Sequence, residues 1–271
     1  MKPFFLLIFL SIFIEFASAQ DLRTNLETAY SNFADAVKNK DADKLKKALC
    51  SYSYMTSKNE LLSAQVKFPD GYFSSAPRMV MDLKKQTFLK AVENGPTANC
   101  IYYGKDAFGT ATLIILKFFK EDGSWKFNTL QDKSSEDVMN KLKANDTTFL
   151  SGKTFYPDGI LPATPAEIVP GEYKALLDVM GYGFNVQIKI NGINQPGSFN
   201  GKGEASSDIL VLGGVKKGVN TIEINVTPIP GIATQKLMIN VAVVIQDQEF
   251  EVFELEDDKP AASIVKQFTA K

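Results

Sequence analysis

Phe184-Asn185-Val186-Gln187-Ile188-Lys189-Ile190-Asn191-Gly192 is the stretch that decides the fold of the second half of the chain. Apolar residues at 184, 186, 188 and 190 alternate with polar ones, so an extended strand here has one dry face and one wet face. Asn191-Gly192 then supplies the strongest short hairpin signal, because both residues accept the positive φ of a two-residue turn. The same period of two continues outward. Residues 209–212 read as a buried strand, and Gly213-Gly214 and Lys216-Lys217-Gly218 lead into alternating Ile222, Ile224 and Val226. Leu237, Ile239, Val241, Val243 and Ile245 alternate again, and Gln246-Asp247-Gln248 turns the chain toward Phe250 and Val252. Short strands punctuated by turn residues, with no helical stretch between them, predict an all-β sandwich over 171–271.

The first half changes period. Leu22, Leu26, Ala29, Tyr30, Phe33, Ala36 and Val37 recur at helical spacing, and Asp41 is placed to cap a second helix carrying Leu45, Ala48 and Leu49. Ser57-Lys58-Asn59-Glu60 has the form of a capping box. Pro77 opens a predicted third helix through Val80, Leu83, Thr87, Ala91 and Val92 to Gly95. Three strands follow, at 99–103, 110–120 and 124–130, the last two joined by Glu121-Asp122-Gly123, and Ser134-Ser135-Glu136-Asp137 starts a short helix with Val138 and Leu142. Helices gathered before strands predict an α+β domain over 20–144. Pro157, Pro162, Pro165 and Pro170 mark 145–170 as an interdomain connector that packs along a domain surface.

Residues 1–19 have the pattern of a secretory signal: Lys2, an apolar run from Phe4 to Ile14 broken only by Ser11, and Ala17-Ser18-Ala19 before Gln20. The expectation is a mature chain from Gln20 in a secreted or periplasmic setting, not an integral membrane protein. A net charge of −1, with Arg23 and Arg78 the only arginines, gives no footprint for nucleic acid. The absence of histidine excludes Ser-His-Asp and Cys-His sites and histidine-held zinc. Cys50 and Cys100 pair in an oxidising compartment or stand as two buried thiols; a disulfide is the expectation.

The segments Ala29-Tyr30-Ser31-Asn32-Phe33, Asp41-Ala42-Asp43-Lys44-Leu45 and Phe118-Phe119-Lys120-Glu121-Asp122-Gly123-Ser124-Trp125-Lys126-Phe127 resemble the NTF2-like (SnoaL-like, cystatin-like cone) superfamily over roughly 21–131. That resemblance implies helices on a curved antiparallel sheet enclosing a pocket. Residues 186–192, together with Val215-Lys216-Lys217-Gly218-Val219-Asn220-Thr221-Ile222, look like galactose-binding-like or Ig-like sandwiches. Candidate pocket residues are Tyr52, Tyr54, Arg78, Asp82, Tyr102 and Trp125, with Tyr103 and Phe108 as further lining aromatics; ordinary core packing is the competing reading of the rings. Arg78 and Asp82 stand at i and i+4 of the predicted third helix.

The acidic residues Glu249, Glu251, Glu254, Glu256, Asp257 and Asp258 match no calcium loop and read as a solvated strand edge. Gly152-Lys153-Thr154 lacks the first glycine of a phosphate loop, since Thr147 stands there. Asn145-Asp146-Thr147 and Asn225-Val226-Thr227 are sequons. No cofactor or metal is implied. The expected function is non-enzymatic binding of a carbohydrate or small apolar molecule, with a homodimer possible. The alternatives are a carboxylate enzyme built on Asp82 and a self-associating scaffold.

Overall fold

The computed structural model describes residues 4–106, 108–196, 199–232 and 236–271. Contacts divide the chain into two compact units, one comprising residues up to Thr56 with Tyr72–Pro165, the other Ser57–Gly71 with Ala166–Lys271. The expected connector over 145–170 is therefore shared between the units. Residues 57–71, read from the sequence as part of the first domain, belong to the second.

In unit 1, α1 (Phe4–Lys38) runs through the expected cleavage point at 19–20 as one helix, and α2 (Ala42–Ala48) starts where Asp41 accepts a hydrogen bond from Lys44 N at 3.0 Å. Among the described residues, no helix is long and apolar enough to cross a membrane. Next come α3 (Ser51–Ser63), whose residues from Ser57 on belong to unit 2, and α4 (Asp70–Ser75), which returns to unit 1 at Tyr72. The predicted third helix is absent: two 3-10 turns, Ala76–Met79 and Leu83–Lys85, are followed by β1 (Thr87–Asn94). The helical spacing there was outweighed by a local partner. Gly95-Pro96, with Gly95 at φ 53°, folds the strand back so that Asn94 faces Thr97.

The sheet is a four-stranded antiparallel meander, β1-β2-β3-β4, with β2 at Thr97–Lys105, β3 at Ala111–Glu121 and β4 at Ser124–Lys133. It holds one strand more than the sequence suggested. Residues 97–102 and 112–116 are buried without alternation, so the middle of the sheet is covered on both faces. One face packs Phe118 and Phe127 against Tyr30 and Phe33 of α1, with ring centroids of Phe33 and Phe127 4.3 Å apart. The other carries Ile101, Leu113 and Ile115 against Val138 of α5 (Glu136–Lys143), Leu150 of the turn Thr148–Ser151, and Phe155. The 145–165 segment is thus the cover of a sheet face.

The β3–β4 hairpin also anchors α3. Glu121 accepts hydrogen bonds from Ser51 N at 2.9 Å and Ser51 Oγ at 2.8 Å, and Lys126 Nζ lies 3.1 Å away. Burial opposes ionisation of this carboxyl, but the bonds from Ser51 and Lys126 outweigh it and hold it below its usual 4.5.

In unit 2, β5 (Lys174–Ile190) is flanked by β6 (Ile193–Asn194), β7 (Phe199–Leu210), β8 (Gly218–Pro228) and β9 (Lys236–Ile245). Beyond these, β10 (Gln248–Asp257) pairs with β9, and β11 (Ser263–Ala270) pairs with β8. All seven strands form a single antiparallel sheet, where two stacked sheets had been expected. The reason lies in β5. Its buried positions are odd-numbered from 175 to 183 and even-numbered from 184 to 190. The slip of one residue falls at Gly183, whose φ of 76° suits glycine. Residues 174–182 pair with β9 and 184–190 with β8, so one bent strand serves both halves of the sheet. The halves share one apolar core, in which Phe253 and Phe268 approach to 5.8 Å.

Residues 57–71 are tied to this unit by polar clamps. Buried Asn59 donates to Ala166 O at 2.8 Å and accepts from Ile168 N at 3.0 Å; buried Ser63 accepts from Gly213 N at 2.8 Å.

Two outcomes are expected. Because the folded pKa of Glu121 is depressed, its stabilisation is present above the unfolded value near 4.5 and is lost as pH falls through the folded one. Glu121→Gln should therefore cost about 1–3 kcal/mol at pH 7 and flatten the acid limb of stability below pH 4.5, read by urea melts across pH. Asn59→Ala orphans one backbone carbonyl and one N–H and should cost a further range of about 1–3 kcal/mol, read as a lowered urea midpoint.

Candidate ligand cleft

The sequence-derived pocket does not assemble. The space between α1 and the sheet is packed by Tyr30, Phe33, Phe118 and Phe127. Tyr102 is buried, pairs with Ile114, and donates to Glu27 at 2.7 Å; Trp125 pairs with Lys120, whose Nζ lies 5.3 Å from its ring centroid. Those two rows are roughly 20 Å apart along β3 at the usual rise per residue. Tyr52 on α3 meets Phe119 at 6.5 Å, Tyr54 is half-buried on the same helix, Tyr103 is half-buried on β2, and Phe108 is 81% exposed. Arg78 and Asp82 do not share a helix: Arg78 is exposed in the first 3-10 turn. Asp82 is the exposed cap of the second, bonded to Lys84 N at 3.1 Å and 3.7 Å from Lys85 Nζ. The geometry of a buried, activated carboxyl is not present at Asp82.

Cys50 and Cys100 are separate buried thiols, a correction to the expected disulfide. Cys100 lies on β2, whereas Cys50 follows Leu49, which bridges to Phe127 on β4. With β3 between β2 and β4, they stand at least two strand spacings apart, about 10 Å, against the 7 Å limit for bridged Cα atoms. Each thiol has its own partner. Cys100 Sγ donates to Tyr102 Oη at 3.3 Å, within a chain that continues to Glu27 and to Arg23 Nε, 2.8 Å from Glu27. Burial pushes the Cys100 thiol up to about 12 and raises Cys50 as well, so neither is a thiolate nucleophile near neutral pH. Burial, then the neighbouring thiol and carboxylate, also raises Tyr102 far above the ordinary phenol range.

The acidic run lies on the edge strand β10, with Glu251 bonded to Asn240 at 2.6 Å and Glu256 to Lys236 at 2.6 Å. Among the described residues, no group of three or more carboxylates and thiols is arranged to hold a metal ion. Both sequon asparagines, Asn145 and Asn225, are exposed.

The structure places a cleft elsewhere, on the sheet face opposite α1. Register puts Thr97 with Phe119, Asn99 with Lys117, and Ile101 with Ile115 on that face. The cover of α5, Leu150 and Phe155 seals the Ile101–Ile115 end. It continues through Tyr156-Pro157-Asp158, tied to the sheet by Asn99 Nδ2 to Phe155 O at 2.9 Å, Asn94 Nδ2 to Pro157 O at 3.0 Å, and Gly159 N to Thr97 Oγ1 at 2.9 Å. What remains is a cavity of about 410 Å³, lined among others by Asn99, Lys117, Phe119, Asn128, Lys153 and Tyr156. That volume is in the range of small-molecule sites. Asn99 is 5% exposed with its amide held by the strap; Tyr156 is 46% exposed at the rim. Asn128, the bulged residue of β4, has its Oδ1 taken by the Ser53 hydroxyl. Lys117 is half-buried, and its ammonium has no hydrogen-bond or ion-pair partner among the described residues.

Two other clefts in unit 1 are surface grooves lined largely by charged residues. One, of about 530 Å³, includes Glu27 and Asp82, both already ion-paired; the other, of about 630 Å³, includes Glu121 and Lys126, which bind each other. Sequence reasoning missed the Lys117 cleft, yet one signal was there: Lys117 interrupts the apolar run Leu113-Ile114-Ile115-Leu116-Lys117-Phe118-Phe119.

No family profile, curated protein or solved structure matches the chain.

The thiol geometry predicts that iodoacetamide labels neither cysteine of the native protein at neutral pH, yet labels both in urea without reductant. Protein that stays unlabelled in urea until reduced would reveal a disulfide.

Proposed function

We propose that the protein is a non-enzymatic binding protein of the secreted or periplasmic kind, holding one small organic ligand in the Lys117 cleft of an NTF2-like unit, with the β-rich unit as an accessory surface. The observation that carries this reading is the half-buried, unpartnered Lys117 in a cavity formed by the fold. An ammonium that lines the cleft without a partner among the described residues is free to donate to a ligand from outside the chain. The surroundings suit a compact ring-bearing molecule. Phe119, Tyr156, Pro157 and Ile160 offer flat apolar surface, while Asn99, Asn128 and Thr154 offer amides and a hydroxyl to polar substituents. The leader-like residues 1–19 support export.

Thermal melts against a panel of sugars, sugar acids and aromatic acids test this. A true ligand at a hundred times its Kd stabilises by about 2.7 kcal/mol, so a rise of some 5–10 °C is expected for a protein of this size. Tyr156→Ala should weaken that ligand about tenfold without changing the unliganded melt, since the ring is exposed at the rim. A flat response to the whole panel would remove the proposal.

A further inference from the structure

The geometry points to a ligand that carries a single oxyanion, a carboxylate or sulfonate on an apolar ring body, with Lys117 as its anchor and Lys153 as the outer charge of the same site. This deepens the reading of the cleft as a ligand site and rests on it.

The charge distribution across the sheet face is the first argument. Cross-strand register puts Lys90, Lys105, Lys117, Lys126 and Lys133 on this face of β1–β4, with Glu121 as its carboxylate. Glu121 is spent on Ser51 and Lys126 at the hairpin. Lys90 and Lys133 are occupied by the cover: Lys90 Nζ is 3.5 Å from Ser151 Oγ, and Lys133 Nζ lies 5.8 Å from the Phe155 ring centroid. Lys117 is the lysine of these that lines the cavity, and Lys153 of the strap lines it from the other side, exposed and likewise without a partner among the described residues. Asp158 is the carboxylate in the lining. Its Oδ1 accepts from Ile160 N at 3.0 Å, and it is exposed at the rim.

The second argument is the donor set beside Lys117. Asn99, its cross-strand neighbour, has its amide N–H directed to Phe155 O. Asn128 has its carbonyl oxygen occupied by Ser53, while its Nδ2 makes no hydrogen bond among the described residues. An oxyanion between Lys117 and Asn128 therefore meets an ammonium and an amide donor, and the ring behind it meets Phe119 and Tyr156. Lys117 is half-buried and Lys153 exposed, so the contact at Lys117 is the less screened of the two.

The experiment uses the full chain and two fluorescent probes with the same rings. 1-Anilinonaphthalene-8-sulfonate carries one sulfonate, and N-phenyl-1-naphthylamine carries none. The expected result is saturable one-to-one binding of the sulfonate probe, about tenfold or more tighter than the neutral one, as a charge-assisted hydrogen bond provides. Lys117→Met should bring the sulfonate probe down to the neutral probe's affinity and leave the neutral probe within twofold. Lys117→Arg, which keeps the charge and guards against a folding defect in the Met variant, should retain most of the preference. Lys153→Met should reduce it less than Lys117→Met. Equal binding of both probes to the unaltered protein, or a sulfonate preference that survives Lys117→Met, overturns the oxyanion inference and leaves the cleft reading standing. Failure of both probes to bind overturns the two together.

Discussion

The first unit is governed by the burial of β2 and β3 on both faces. A strand pair with apolar residues at consecutive positions has no wet side, so it is stable only when both faces are covered. One cover is local and strong: α1 brings Tyr30 and Phe33 onto Phe127 and buries Leu26 and Val37 beside them in its inward face. The other is assembled from short pieces, α5, a 3-10 turn and an extended strap, and its apolar contacts end at Phe155. Beyond that point the sheet face turns polar, from Ile101–Ile115 to Asn99–Lys117. Along that row the strap is held by hydrogen bonds from Asn99 and Asn94 and to Thr97 instead of by apolar packing, and the cleft lies beside it.

The polar interactions that position these pieces are of one kind. Asn94, Asn99 and Thr97 hold the strap by its backbone, Glu121 holds the first turn of α3, and Asn59 holds the chain near Ile168. Each satisfies backbone groups that would otherwise be left bare by an irregular segment, which is why irregular chain can lie against a sheet. Lys117 lies outside this scheme. It has no partner of its own among the described residues, and the Nδ2 of Asn128 and the Lys153 ammonium in the same lining have none either.

The buried chain from Cys100 through Tyr102 and Glu27 to Arg23 shows how polar groups are accommodated under α1. Cys100 donates to Tyr102 and Tyr102 to Glu27, whose carboxylate also accepts from Arg23 Nε, and the Arg23 guanidinium rests 4.0 Å over Phe88. A thiol placed at the inner end is protonated and shielded, so its chemistry is that of a small core residue.

Much of the architecture was legible in the residues. The alternation around Phe184 to Ile190, the Asn191-Gly192 turn, the amphipathic face of α1 and the Glu121-Asp122-Gly123 hairpin all follow from local period and turn chemistry, and each stands in the structure. What local pattern could not reach depended on partners distant in sequence. Residues 87–94 became a strand because 97–103 lay ready to pair with them, and β5 became a single bent strand because Gly183 permits a bulge where β8 and β9 both need an edge. The thiols remained apart because β3 lies between β2 and β4. Lys117 was visible as one charge in an apolar run, but its exposure to a cavity was decided by where Phe155 ends the cover. Composition and period determine which faces are dry; only the folded chain determines which of them is left open, because covering a face requires segments that meet in space and not in sequence.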